Sequence, residues 1–296
     1  THIHAIRDRM DERVDMSRTV RDGRFKYHRN YLPHLPHYPL LTYMDLLETA
    51  KDFRRLADAG QLSPGLAFFM APTKPLEELY DLQNDPQELH NLSADPAHAA
   101  TLTRLRNEHF DWVRRTVDTG LIPEQMLRDF AAGRSEYEYA RSGAYELDRC
   151  IATVRLAEQG AGAVTSMRQA LQDSYAPVRF WAATGLASLG RQAAPAAAEL
   201  QRALGDPHAE VAIAAAEALC YLGEPGPARP VLERYLNDDR PVVRLAAANV
   251  VDRIGEQARP LIDTIRRIAG QKQKGDLPMM VEWALQSALK KLDRVQ

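Results

Sequence analysis

At 296 residues the chain has room for about two domains. It is 45% apolar and 26% charged with a formal net charge of −2, which gives no electrostatic reason to expect nucleic acid or an anionic membrane as partner. Two cysteines build no disulfide framework and do not identify a redox compartment. Apolar runs such as Leu66-Ala67-Phe68-Phe69-Met70-Ala71 fall far short of the ~20 residues of a membrane helix, and no signal peptide is visible.

Residues 1–32 predict strand, loop, strand, turn, strand. The charged run Arg7-Asp8-Arg9-Met10-Asp11-Glu12-Arg13 reads as the loop between the first two strands, and Asp22-Gly23 as a two-residue hairpin turn. His2 and His4 alternate along a strand and share a face. The prolines of Tyr31-Leu32-Pro33-His34-Leu35-Pro36-His37-Tyr38-Pro39 forbid a regular helix there. His34 and His37 have a spacing that metal ligands use, but one of the two residues between them is proline and no Cys or acidic partner is near. Surface or substrate-rim histidines are therefore favoured over a metal site.

Residues 41–59 predict a helix with Tyr43, Leu46, Leu47, Ala50, Phe53 and Ala57 near one face. Ser63-Pro64-Gly65 and Ala71-Pro72-Thr73-Lys74-Pro75 bound a loop. A strand follows in Leu79-Tyr80-Asp81-Leu82, stopped by Asn84-Asp85-Pro86. Asp85, with Pro86 first and Glu88 third, predicts a capping box opening a helical turn, with Leu89 and Leu92 on one face. Asp95-Pro96 starts a long helix with Leu102, Leu105, Trp112 and Val113 as its apolar stripe and Gly120 at its end. Residues 121–142 form a charged connector without a clear periodicity.

From about residue 144 the chain turns Ala- and Leu-rich and repeats itself. Segments starting at Asp173, Asp206 and Asp238 end at Gly190, Gly223 and Gly255, so that successive copies lie 33 and 32 residues apart. A fixed period of this size predicts stacked helix hairpins, each Asp opening a first helix and each Gly closing it. Residues 147–160 read as a degenerate first copy and 281–292 as a terminal cap. Trp112, Trp181 and Cys220 sit at helical spacing among apolar residues and are read as core. Arg202, Arg234, Arg266 and Arg267 lie among acidic residues, which argues for an ordinary solvated face over a basic binding surface.

Two resemblances follow. Glu78-Leu79-Tyr80-Asp81-Leu82, then Asp85-Pro86, Glu88 and Asn91-Leu92, resembles the signature near the C-terminal end of type I sulfatases. The hairpin from Arg18 through Val20-Arg21 to Phe25-Lys26 is similar to one in sulfatases related to heparan N-sulfatase. This likeness covers roughly residues 1–125 and implies a small antiparallel sheet with a packed helix. The repeats resemble HEAT-like repeats of the short Asp-x-x-x-x-Val-Arg type; a distant likeness to the repeats of bilin lyases finds nothing in residues 1–125 to support it. The expected fold is therefore α+β for residues 1–125, a connector over 126–143, and an all-α HEAT-like solenoid over 144–296.

The sulfatase likeness implies a hydrolase of sulfate esters or sulfamates that uses formylglycine and a divalent cation, calcium by expectation. The C/S-x-P-x-R motif that gives formylglycine does not occur in the 296 residues, and the family's calcium ligands have no counterpart. No catalytic or metal residue is therefore assigned. The chain opens on Thr1 inside a strand and is read as the C-terminal piece of a longer enzyme, periplasmic or extracellular by analogy with the family. The likeness places the 7–13 run at the rim of an active site, so Arg7, Arg9, Asp11, Glu12 and Arg13 are substrate-rim candidates for a sulfated glycan or aryl sulfate. The plainer reading is a solvated loop with local ion pairs. Related sulfatases can carry His-Glu where this chain has Asp11-Glu12, which puts shared glycan specificity in doubt. Tyr80 and Asp81 are read as packing and backbone-bonding residues. Expected partners are a larger N-terminal sulfatase domain and a protein on the repeats. The alternative is a non-catalytic repeat scaffold with a relic sulfatase-like domain; a nucleophile motif upstream discriminates the two.

Overall fold

A computed structural model of the protein describes residues 1–271 and 274–293; residues 294–296 of the predicted solenoid, and 272 and 273 within it, lie outside that description. The chain divides into two compact units, Thr1–Asp118 and Thr119–Gln296.

The first unit is built on an antiparallel sheet in sequence order: β1 (Ile3–Met10), β2 (Arg13–Arg21), β3 (Phe25–Asn30) and β4 (Glu77–Asp81). Side chains alternate between faces along each strand. Val20, Tyr27 and Leu79 line one face and close a core with Leu102 and Leu105. The 7–13 run is not an open loop. It supplies both arms of the first hairpin, with Met10 paired to Arg13 and only Asp11-Glu12 at the tip. The second hairpin turns on Gly23-Arg24 instead of Asp22-Gly23, because Asp22 serves as the flank: its N–H donates to Phe25 C=O at 3.0 Å. Its carboxylate accepts the Arg24 and Phe25 N–H groups at 2.8 and 2.7 Å.

A long excursion joins β3 to β4. Its helix α1 (Glu48–Asp58) starts later than predicted, and Tyr43, Leu46 and Leu47 remain exposed. A single-turn α2 (Pro64–Ala67) follows. After β4 the predicted capping box does not form. Glu88 takes a positive φ of 57°, and Asp85 accepts N–H groups from Leu89 and His90 at 3.1 and 2.8 Å. Glu88 instead reaches Lys26 at 2.6 Å, and that ion pair replaces the reciprocal cap. Leu92 packs on the core while Leu89 stays exposed. Asp95 does cap the next helix, accepting Ala97 N–H at 2.9 Å ahead of α3 (Ala99–Thr116). That helix ends at Val117, in the left-handed region at φ 54°, before Gly120 is reached.

The second unit is helical. It opens with α4 (Glu124–Ala131) and α5 (Glu136–Ala140), the latter closed by a Ser135/Glu138 capping box, so much of the charged connector is helix. Helix hairpins follow. Their first helices are α6 (Leu147–Arg155), α8 (Ala176–Leu189), α10 (Ala209–Leu222) and α12 (Pro241–Ile254); their returns carry α7 (Val164–Ala170), α9 (Ala197–Ala203), α11 (Pro225–Leu236) and α13 (Ile262–Ala269). Helix α14 (Asp276–Asp293) packs on α12 and α13. As the spacing requires, Asp173, Asp206 and Asp238 each accept the N–H two residues on, at 2.7, 2.9 and 2.9 Å. Gly190, Gly223 and Gly255 turn the chain at positive φ. One apolar core runs through these repeats, with fully buried alanines such as Ala182, Ala215 and Ala248 letting neighbouring helices approach.

Candidate functional site

The first hairpin carries the five residues singled out by sequence, and the structure separates them. Glu12 and Arg13 are buried. The Glu12 carboxylate accepts Thr42 N–H at 2.6 Å, and Arg13 Nε donates to Leu40 C=O at 2.7 Å. Both bind the hairpin tip to the excursion, so they act as anchors. Asp11 stands at the tip with φ 46°, and its carbonyl accepts from Arg9 Nη1 at 3.0 Å. Arg7 and Arg9 are half-buried on β1. Near the tip the exposed positions are Asp8, Met10 and Val14, with Arg7, Arg9 and Asp11 half-buried beside them.

A β-bulge sets Arg7. Between the pairs Arg7–Ser17 and Arg9–Val14, Asp8 faces two residues, Asp15 and Met16. Asp15 Oδ2 lies 3.3 Å from Arg7 Nη1, and its other oxygen takes the Lys74 ammonium. Lys74 also donates to Pro36 C=O at 3.2 Å, and its backbone N–H to Pro33 C=O at 2.9 Å. Burial pushes the Lys74 pKa down, against the pull of Asp15. Next to it Glu78 accepts from Asn30 Nδ2 at 2.6 Å and from the Tyr80 hydroxyl at 2.5 Å. His37, 3.7 Å from Glu78, rests edge-on against Phe68 and Phe69. Burial lowers its pKa below the ordinary histidine value. Thr19 and His28 face each other at 2.7 Å in the same layer.

This network contains two cations, Arg7 and Lys74, and two carboxylates, Asp15 and Glu78. Its charges balance, so it pins the Pro/His loop on the sheet and positions Arg7; it offers no net charge of its own. No local pattern marks it, because Asp15 and Lys74 are 59 residues apart and meet only in the fold. His34 and His37 lie half-buried in that loop. Among the described residues no group of three or more His, Cys, Asp or Glu side chains is arranged to hold a metal ion. Cys150 and Cys220 are buried and their thiols are pushed up to about 12 by burial. Neither thiol lies in a C/S-x-P-x-R sequence. No helix among the described residues is long and apolar enough to cross a membrane.

Tyr80 and Asp81 behave as packing and turn residues. Tyr80 is buried, and Asp81 binds Arg24 at 2.9 and 2.5 Å and accepts from Gln83 N–H at 3.2 Å and Asn84 Nδ2 at 2.8 Å. The arginines of the return helices are partnered. Arg202 meets Glu199 at 3.2 Å and Arg266 meets Asp293 at 3.3 Å. Arg267 reaches Asn237 at 2.6 Å, and Arg234 lies over Tyr235.

The chain is similar to known proteins in two respects. Residues 197–286 match the family model for HEAT repeats. Over 127 residues, 43% of the chain, the protein is 38% identical to an ulvan-active sulfatase of Formosa agariphila. A second ulvan-active sulfatase of that organism shares 30% identity over 124 residues, 40% of the chain. The chain spans about a fifth of the length of each of these relatives, 21% in both cases.

Proposed function

We propose that the chain is the C-terminal part of a formylglycine-dependent sulfatase acting on a sulfated polysaccharide. In this reading the nucleophile and a calcium site belong to a larger catalytic domain. The observation that carries it is the 38% identity to an ulvan-active sulfatase over 127 residues, a length close to that of the first unit. Arg7, Arg9 and Asp11 form the substrate rim, where guanidinium forks suit sulfate and carboxylate oxygens. Glu12 and Arg13 hold the rim in place from beneath. The repeats serve as a protein-interaction region.

The test has two parts. Residues 1–296, given calcium and an aryl sulfate, show no turnover, because no positioned charge replaces a covalent nucleophile. In the enzyme with its catalytic domain, Arg9→Ala impairs action on an anionic glycan more than on a small aryl sulfate. Turnover by residues 1–296 that survives repurification, or equal impairment of both substrates, overturns the corresponding part.

A further inference from the structure

Two cations share one carboxylate in the first unit. Asp15, buried on β2, gives one oxygen to the Lys74 ammonium and the other to Arg7 Nη1, at 3.3 Å. The two cations differ in exposure: the Lys74 side chain is 1% exposed and the Arg7 side chain 37%. Lys74 is held by its other contacts too, since Pro36 C=O accepts from its ammonium at 3.2 Å and Pro33 C=O from its backbone N–H at 2.9 Å. The backbone of Arg7 is fixed as well. Its C=O accepts from Nη1 of the buried Arg18 at 3.0 Å, and Asp118 clamps Arg18 at 2.6 and 3.1 Å.

Among the described residues only one nitrogen of the Arg7 guanidinium is engaged. A guanidinium binds an oxyanion two-pronged along one of its edges. The Asp15 contact at Nη1 therefore leaves the Nε–Nη2 edge of Arg7 uncommitted. The charges of the surrounding network balance in total but are not spread evenly. Asp15 is the carboxylate that touches Arg7, and it is already matched by Lys74. Glu78, the other carboxylate, is taken up by Asn30 and Tyr80.

We propose that the Nε–Nη2 edge of Arg7 receives a second anionic group of the substrate, a carboxylate or a sulfate other than the one cleaved. Lys74 is a positioning residue for it, acting through Asp15. Its buried ammonium keeps one Asp15 oxygen turned away, so that Asp15 orients Arg7 without closing the whole fork. This rests on the reading of the chain as part of a polysaccharide sulfatase.

The experiment uses the enzyme with its catalytic domain and compares substrates. They are an aryl sulfate, a monosulfated disaccharide, and that disaccharide with a second charge added as a uronate carboxylate or as a sulfate. Arg7→Ala raises KM about ten-fold for the doubly charged sugars, far more than for the other two, and acts on KM more than on kcat. Whichever doubly charged sugar suffers more identifies the anion. Asp15→Asn/Lys74→Met removes the buried ion pair together, so neither charge is orphaned and the enzyme melts close to the unmodified one. It raises KM for the doubly charged sugars several-fold, and adds nothing in an Arg7→Ala background. Asp15→Asn alone separates orientation from charge. It takes a negative charge from beside Arg7, which by charge alone lowers KM for an anionic sugar; the proposal requires KM to rise. If Arg7→Ala spares the doubly charged sugars, the rim reading of Arg7 fails and the proposal with it. If Arg7→Ala impairs them but the paired variant does not, the rim stands and the role of Lys74 is overturned. A fall in KM with Asp15→Asn, or a loss in the paired variant that persists in the Arg7→Ala background, overturns that role equally.

Discussion

Arg179 and Asp206 stand 27 residues apart and meet in a two-pronged ion pair, Nε to Oδ2 at 2.6 Å and Nη2 to Oδ1 at 3.0 Å. Arg179 is the Arg of one Asp-x-x-x-x-Val-Arg copy and Asp206 opens the next. Its Nη1 also donates to Asp173 C=O at 2.7 Å, so one side chain binds the opening turns of two repeats. One step earlier Arg149 reaches Asp173 with a single prong, through Nη2, while its Nη1 goes to Glu146. The ladder breaks where Ala212 replaces the arginine; there Asp238 takes Arg240, from its own turn.

The ladder predicts a local cost. Arg179→Ala leaves the largely buried Asp206 carboxylate without its fork and lowers the stability of the second unit by about 2 kcal/mol. Chemical denaturation of Arg179→Ala, Asp206→Ala and the double variant measures it. Strictly additive effects would show the two side chains to be uncoupled.

The hairpin predicts that neighbouring arginines behave differently. Arg13→Ala leaves the half-buried Leu40 carbonyl without its donor at 2.7 Å and removes a buried guanidinium, and the first unit loses about 1–2 kcal/mol. Arg9→Ala changes stability by less than about 0.5 kcal/mol, as expected away from buried networks. Thermal melts of the two variants, compared with the unmodified chain, decide it. Equal losses would mean that Arg9 is as much an anchor as Arg13.

Acid predicts a third effect, through His109. This residue is buried in the first unit with its Nε2 2.8 Å from the Tyr31 hydroxyl. Burial, then the nearby Arg29 and Arg18 cations, push its pKa well below 6.5. The folded state thus binds the proton less tightly than the unfolded chain. Stability is complete above the unfolded value of about 6.5 and is lost as pH falls below it. Melting followed from pH 7.5 to 5 shows this slope, and His109→Gln flattens it. A variant with the same slope would assign the effect to another group.

The two thiols predict silence. Cys150 and Cys220 are buried with pKa values pushed up to about 12, so a thiol reagent at pH 8 leaves the native protein unmodified and labels both residues in denaturant. Rapid labelling without denaturant would place one of them in a segment that opens readily.

The two units are expected to differ in self-sufficiency. Each repeat buries its apolar face on the next, so residues 119–296 fold alone as a cooperative helical unit. Among the described residues β1 stands at the edge of the sheet, with Ile3 and Ile6 exposed at 67% and 61%. Expressed alone, residues 1–118 aggregate or melt loosely. Circular dichroism and melting of the separate pieces test this, and a cooperative melt of residues 1–118 alone would reverse it.

The sequence by itself determined what depends on near neighbours and period. The 32- to 33-residue spacing of Asp and Gly placed the repeat helices, since an Asp turn and a positive-φ Gly act within a few residues of themselves. Alternation placed the strands, and the apolar stripe of α3 identified Leu102, Leu105 and Val113 as core. Tertiary structure decided what depends on distant partners. It turned Glu12 and Arg13 from rim residues into anchors, because Thr42 and Leu40 come back to them from about 30 residues away. It overrode a sound capping signal at Asp85, because Lys26 on β3 draws Glu88 away. It also seated the patternless connector on the repeats, where Leu121 C=O accepts the Trp181 indole N–H from 60 residues on, beyond any window of neighbouring residues.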